Sequence, residues 1–159
     1  MIGQARETGA QDLSKDRLRL WLRLLKLTSG IEAELRRNLR EVHDTTLPRF
    51  DVMAALARHP DGLRMSDLSS YLRVSNGNIT GIVDRLTEEG LALRVAVPGD
   101  RRAQTARLTA RGREVFDRLA ADHEVWIDAA LGALDAAEIA TMARLAKRAQ
   151  SREDGNEHP

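Results

Sequence analysis

The stretch that decides the fold runs from Ser66 to Gly112 and reads SDLSSYLRVSNGNITGIVDRLTEEGLALRVAVPGDRRAQTARLTARG. In its first half, apolar residues recur every three to four positions, which is typical of amphipathic helices. From Leu91 to Val97 the period falls to two, as in a half-buried strand. The stretch therefore predicts two short helices joined by a tight turn at 73–75, followed by a β-hairpin over 91–109.

The tip of this hairpin is predicted at 99–104, because Pro98-Gly99-Asp100 is turn chemistry. Thr109 is predicted to cap the next helix. The order helix, tight turn, helix, hairpin predicts a winged helix-turn-helix over residues 46–109. In this arrangement the second helix fits the DNA major groove, and the hairpin, or wing, reaches the neighbouring minor groove.

The second of these helices has the composition of a DNA-reading helix. Its apolar positions Ile79, Val83 and Leu86 point inward, while small polar residues occupy the other faces. Gly77 and Gly81 each cost about 1 kcal/mol in a helix interior relative to Ala, which favours a role in close approach to DNA. The residues predicted to contact DNA here are Ser75, Asn76, Asn78, Thr80 and Arg85.

The wing adds a local positive charge to a chain whose net charge is only +1. Residues 91–113 contain six Arg and one Asp. At the tip, Asp100 can orient the guanidinium of Arg102 toward a narrow minor groove, and Arg101 lies between them. The alternative is a plain surface ion pair worth less than about 1 kcal/mol.

Helices on both sides of this lobe predict a dimerisation region over 13–45 and 110–150. The first helix is apolar on nearly every side, with Leu18, Trp21, Leu22 and Leu25 on one face and further leucines on others. Because a helix of that kind must be buried nearly all round, we expect a partner subunit to cover it, as in a homodimer. Residues 1–12 and 151–159 are polar and are predicted to be flexible tails. The predicted fold class is mainly α with a small β-hairpin wing.

The chain has no cysteine, which excludes disulfides, thiolate metal sites and a cysteine nucleophile. It has no signal-peptide pattern and no run of 18 apolar residues, so we expect a cytoplasmic protein without a membrane span. Its four histidines form no metal-binding or hydrolase motif, and no glycine-rich phosphate loop is present. We therefore predict no enzyme activity, no cofactor and no metal.

The segments 65–91 and 98–112 resemble the MarR family of bacterial transcriptional regulators. The most specific features are the D-x-R of the wing and the Leu108-Thr109 and Gly112 that follow it. Ala110 departs from the family pattern, in which Pro is common, but Thr109 can cap without it. The resemblance covers roughly residues 15–148. It implies a homodimer that binds a palindromic operator, usually as a repressor released by a small ligand.

The stretches 45–51 and 74–78 look like a branch associated with aromatic-acid catabolism, including hydroxycinnamate-type regulators. This implies a small anionic aromatic effector, or an aryl-CoA thioester, bound between the DNA-binding lobe and the dimer helices. The candidate residues on those elements are Arg36, Arg40 and Arg49 for the anion, and Phe50, Phe116 and His123 for the aromatic body. The alternative for the two phenylalanines is plain core packing.

Two other functions remain open from the sequence. A metal-responsive regulator of the same fold would need clustered His and carboxylate residues, and His123-Glu124 is one such pair without an evident third ligand. A winged helix that binds protein would not need the arginine-tipped wing. An electrophoretic shift with the DNA upstream of the protein's own gene separates these alternatives.

Overall fold

The structure is a computed structural model that describes the backbone of residues 2–72, 76–97 and 99–151, and the side chains of 12–72, 77–97 and 104–151. Six helices and three short strands lie along these residues in the order α1, α2, β1, α3, α4, β2, β3, α5, α6. The helices are α1 (Ile2–His43), α2 (Leu47–Arg58), α3 (Met65–Leu72), α4 (Asn76–Glu88), α5 (Ala110–Leu131) and α6 (Ala136–Gln150). The strands are β1 (Leu63–Arg64), β2 (Ala92–Val97) and β3 (Asp100–Leu108).

Helix α1 is longer than the sequence predicts. It begins at Ile2 rather than at Leu13, so its backbone includes most of the segment predicted as a tail. The physical reason is propensity, because Gln4, Ala5, Arg6 and Glu7 are good helix formers and no Pro interrupts them. At its other end the chain leaves the helix through Asp44, which has a positive φ of 49°.

The core of the lobe predicted over residues 46–109 lies between α2, α3 and α4. Fully buried side chains come from all three helices: Val52, Met53, Leu56, Leu68, Ile79, Val83 and Leu86. Helix α2 has Pro48 in its first turn, and the Thr46 side chain accepts a hydrogen bond from the Arg49 backbone N–H. These contacts between buried side chains hold α4 in place within the lobe.

The wing forms a three-stranded antiparallel sheet in the order β1-β3-β2. The predicted hairpin of β2 and β3 is present, with Arg94 opposite Ala106. The predicted tip at 99–104 is wider than the observed one, because strand β3 already begins at Asp100. The pairing of β2 with β3 is irregular between Ala96 and Val97, which pair with Gln104 and Asp100. Strand β1 was not predicted. It has two residues, too few for a period-2 pattern, and pairs Leu63 with Ala106.

The root of the wing is joined tightly to α5. Gly90 ends α4 with a φ of +72°, as its position past the helix predicts. The Thr109 hydroxyl accepts a 2.9 Å hydrogen bond from the Gly112 N–H, which is the predicted cap, and donates a 2.7 Å bond to the Gly90 carbonyl oxygen. One side chain thus joins α4, β3 and α5.

The chain divides into two compact units, residues 1–123 and 124–159. The second unit contains α6, whose N-terminus carries a capping box: Asp135 accepts from the Glu138 N–H, and the Glu138 side chain accepts from the Asp135 N–H. Within the described part of the chain, no helix has the length and apolar character needed to cross a membrane.

Candidate nucleic-acid interface

Helix α4 has one fully buried face and one open face. Ile79, Val83 and Leu86 are completely inaccessible to solvent and pack into the lobe. Asn78, Thr80 and Arg85 are exposed, as expected for residues that lie on other faces than the apolar one. The exposed part of α4 therefore presents short polar side chains and one cation, which can hydrogen-bond base edges and phosphates, together with the acids Asp84 and Glu88.

The glycines of this face are not explained by packing inside the chain. A Cβ built on Gly77 or Gly81 would meet no heavy atom within 4 Å. Gly81 lies in the middle of α4, where it costs about 1 kcal/mol relative to Ala. The helix therefore bears a stability cost on a surface that nothing in the described chain contacts.

Five of the predicted DNA-binding residues cannot be placed at the level of their side chains. Ser75 lies outside the described residues, and the side chains of Asn76, Asp100, Arg101 and Arg102 lie outside the described side chains. For the wing, the structure gives the backbone of β3 and the turn at Gly99, whose φ is +85°.

An arginine at the base of the wing connects α4 with both strands. Arg94 Nη2 lies 2.7 Å from Asp84 Oδ1 on α4, an ion pair without the alignment of a hydrogen bond. Its Nη1 donates a 3.0 Å hydrogen bond to Gln104 Oε1 on β3. The Arg94 side chain is only 26% exposed. This arrangement couples the orientation of the wing to that of helix α4.

A cavity of about 450 Å³ lies between the C-terminal end of α1, the start of α2, the end of α4 and the first half of α5. Its lining includes Arg49, Glu89 and Arg118, with the apolar residues Met53, Val115 and Leu119. Of the six predicted effector residues, Arg49 is the one that lines it.

Arg49 makes a bidentate ion pair with Glu89, and both residues line this cavity. Arg49 Nη1 donates a 2.7 Å hydrogen bond to Glu89 Oε1, and Nη2 contacts Oε2. The pKa of Arg49 is raised, first by this hydrogen bond, and the pKa of Glu89 is lowered by the same bond. Both groups are therefore held firmly in their charged forms.

The three predicted aromatic residues are brought together. Phe50 is 6% exposed, and its ring is stacked 4.5 Å from the His123 imidazole and 5.8 Å from Phe116. Burial lowers the pKa of His123 below its usual 6.5, so the ring is neutral at pH 7. Burial of Phe50 fits both core packing and an aromatic site floor, so the effector role stays a prediction.

The other two predicted arginines are not gathered into this site. Arg36 pairs with Glu32 on its own helix, 2.7 Å apart, and Arg40 is exposed. His43, at the end of α1, lies 2.7 Å from the carboxylate of Asp122 on α5. In the described part of the chain, no group of three His, Asp or Glu side chains could hold a metal ion.

Sequence reasoning missed Asp84, Glu89 and Asp122, whose partners are 10, 40 and 79 residues away in the chain. No periodicity connects such pairs. The available signal was the positive charge of Arg49 and Arg94. Both lie on helix or strand positions that are largely buried, where a cation needs an acidic partner.

Comparisons with known proteins agree on one family. A family model described as "MarR family" matches residues 43–103. The transcriptional activatory protein BadR of Rhodopseudomonas palustris is 34% identical over 82 residues, which are 50% of this chain and 47% of BadR. The chain thus spans about half the length of that relative.

Two solved structures cover nearly the whole chain. A MarR family transcriptional regulator from Silicibacter pomeroyi is 30% identical, with a TM-score of 0.75 over 89% of this chain and 98% of that one. A mutant form of MarR from E. coli, complexed with operator DNA, is 22% identical, with a TM-score of 0.72 over 84% and 95% of the two chains. The second likeness concerns the fold alone.

Proposed function

The chain belongs to the MarR family of DNA-binding transcriptional regulators, and we propose that it is a sequence-specific repressor that binds a palindromic operator as a homodimer. The family membership confirms the predicted fold class and the prediction that the protein is not an enzyme. Among solved relatives, the E. coli protein is described in complex with operator DNA. The metal-responsive and protein-binding alternatives have no specific observation in their favour.

The observation that carries this proposal is the open face of α4. Gly81 costs stability in the middle of the helix although its surroundings have room for a methyl group. An external surface that approaches the backbone closely explains both facts, and the neighbouring Asn78, Thr80 and Arg85 suit a DNA groove. In the wing, Arg102 is proposed to enter the minor groove, with its guanidinium oriented by Asp100.

The first test uses Gly81→Ala in an electrophoretic shift with the DNA upstream of the protein's own gene. We expect this variant to be more stable to urea by about 0.5–1 kcal/mol and to bind that DNA more weakly. These opposite directions separate a DNA-facing glycine from a merely tolerated one. A variant that is stabilised and binds DNA as the parent does contradicts the proposed contact face.

The roles of individual side chains are tested by salt dependence. Arg85→Ala and Arg102→Ala should weaken binding and reduce the salt slope, each by about one unit if each neutralises one phosphate. Asn78→Ala should instead change which operator bases matter. A single salt-independent loss in all three variants would contradict this division.

We also propose that the repressor is released by an anionic aromatic ligand, either a free acid or an aryl-CoA thioester. The support is the stack of Phe50, Phe116 and His123 beside α5, and the cavity at Arg49. Linkage requires such a ligand to bind the DNA-free protein more tightly by the same factor that it weakens DNA binding.

Tryptophan fluorescence over a panel of aromatic acids and their CoA thioesters tests the ligand class. Arg49→Ala and Arg40→Ala variants that bind DNA normally and still respond to the ligand unchanged would contradict the assignment of these arginines. Because BadR is named an activatory protein, transcription in vitro with and without the ligand establishes the direction of regulation.

A further inference from the structure

We infer that Glu89 occupies on Arg49 the place of a ligand carboxylate, and that a carboxylate ligand enters the cavity by exchange with Glu89. This inference rests on the proposed ligand-responsive function and names the regulation of that site. The residues that carry it are Arg49, Glu89 and, on the helix that ends at Glu88, Arg85.

The geometry of the pair is that of a bound carboxylate. Both guanidinium nitrogens of Arg49 face both oxygens of Glu89, the fork arrangement in which arginine recognises carboxylates. The cavity volume, about 450 Å³, falls in the range of small-molecule sites. Thr45 also lines the cavity, and its side-chain oxygen is buried without a hydrogen-bond partner among the described residues.

Glu89 is the partner that can leave. Its side chain is 48% exposed, against 22% for Arg49. Apart from the bond to Arg49 and the charge of that residue, the charges of Arg85 and Arg111 also lower the pKa of Glu89, so two other cations are near it. A carboxylate that replaces Glu89 therefore leaves Arg49 paired and leaves Glu89 with alternative partners. Neither Arg49 nor Glu89 is then left without a charged partner, so the largest energetic cost of breaking such an ion pair is avoided.

The exchange has a consequence for DNA binding. Glu89 lies one helical turn after Arg85, and its N–H donates to the Arg85 carbonyl oxygen. Residues four apart on a helix can pair. A displaced Glu89 can thus pair with Arg85 and neutralise its charge on the side of α4 that is proposed to face DNA. Ligand binding in the cavity would then reduce the phosphate attraction of the recognition helix.

The exchange is tested on the full-length protein without DNA. Isothermal titration calorimetry is performed with acetate, benzoate and 4-hydroxycinnamate, and with benzamide as the neutral counterpart of benzoate. The variants are Glu89→Gln, Arg49→Gln, and Glu88→Gln as the matched control, since Glu88 is the adjacent exposed acid at the end of α4.

We expect Glu89→Gln to bind at least one of the carboxylates tighter than the parent by about fivefold, because the internal competitor is gone. Glu88→Gln should bind like the parent, Arg49→Gln should lose carboxylate binding, and benzamide should not distinguish the variants. Circular dichroism confirms that each variant is folded. The inference is overturned if Glu89→Gln binds no carboxylate tighter than Glu88→Gln does, including the case in which no carboxylate binds at all.

A second readout concerns coupling. With the upstream DNA present, Glu89→Gln should bind the carboxylate well but lose most of the ligand effect on DNA affinity, because no charge remains to neutralise Arg85. An unchanged ligand effect in this variant overturns the relay. Failure of the parent protein to bind DNA at all would count against the proposed function and leaves the calorimetric exchange to be judged by itself.

Discussion

At the scale of single residues, the junction between the wing and α5 has no spare room. Gly112 is buried, and a Cβ placed on it would lie 1.9 Å from the carbonyl oxygen of Leu91. The Leu91 oxygen in turn accepts a hydrogen bond from the Thr109 N–H. Gly112 is therefore required by packing, whereas Gly81 is not. The sequence alone did not distinguish these two helical glycines.

We expect Gly112→Ala to destabilise the protein by about 3 kcal/mol, because backbone atoms would have to move apart to admit the methyl group. Gly81→Ala, the matched substitution in open space, should stabilise it by about 0.5–1 kcal/mol. Urea denaturation followed by circular dichroism measures both. Equal effects of the two substitutions would show that the junction adapts to a side chain.

His123 gives the stability a pH dependence with a definite sign. Burial lowers its pKa in the folded state from the usual 6.5, so the unfolded chain binds more protons between that lowered value and 6.5. Stability contributed by neutral His123 is therefore complete above 6.5 and is lost as the pH falls through this window. The carboxyl of Asp51 has the opposite sign in a more acidic window, since burial, with the charge of Glu32, raises its pKa above 3.8.

We expect the parent protein to lose more stability than His123→Phe when the pH falls from about 7.5 to about 5.5. Phenylalanine keeps an aromatic ring against Phe50 but cannot titrate, so it isolates the protonation of His123. Urea midpoints at the two pH values measure the difference. Parallel losses in both proteins would mean that other groups produce the pH dependence.

At the scale of elements, the periodic features were predictable and the contacts between distant segments were not. The helices that start after Thr46, Thr109 and Asp135 begin with local capping hydrogen bonds, and the structure confirms the predicted cap at Thr109. Strand β1 has no local signal, because its two residues are ordered only by pairing with β3, about 40 residues later in the chain. The Arg49–Glu89 pair was invisible for the same reason.

The contacts of Arg94 between α4 and the wing can be tested by replacing Asp84, because two explanations predict changes of opposite sign in DNA affinity. Asp84→Asn removes a negative charge from the helix that is proposed to contact DNA, so charge alone predicts tighter binding. If Asp84 acts by holding Arg94, and through it Gln104 of the wing, we expect specific binding to weaken by about fivefold. The measurement is operator affinity in competition with unrelated DNA.

Glu88→Gln is the control for this prediction, because Glu88 is also an acid on α4 and is exposed. It should bind DNA as well as the parent or slightly better. If Asp84→Asn, like Glu88→Gln, binds the operator more tightly than the parent, then the contacts of Arg94 do not orient the wing and amount to a surface ion pair.

At the scale of the whole molecule, each compact unit exposes apolar side chains that a single chain does not cover. In the first unit they follow α1 on several faces: Leu13, Leu18, Leu20, Trp21, Leu22, Leu24, Leu25 and Leu27 are all at least 39% exposed. In the second unit Val125, Ile139, Met142 and Leu145 are exposed to a similar degree. Patches of this size mark interaction surfaces, and a second copy of the chain is the partner that the sequence analysis predicts.

We therefore expect light scattering at micromolar concentration to give twice the chain mass of 17.7 kDa. Leu22→Glu on α1 should shift the protein toward monomer, because a symmetric interface contains the substitution twice and loses about 2 kcal/mol or more of apolar burial. Leu93→Glu is the matched control, since Leu93 is an exposed leucine of β2, in the wing and outside the predicted dimerisation region. It should leave the mass unchanged.

The same experiment connects assembly with DNA recognition. Two recognition helices related by a two-fold axis read half-sites about one helical turn, or roughly 10 bp, apart. Leu22→Glu should therefore lose its preference for the palindrome over a single half-site, while Leu93→Glu retains the dimer and the half-site spacing. A parent protein that is monomeric and still binds the palindrome tightly would show that a second copy of this chain does not cover α1.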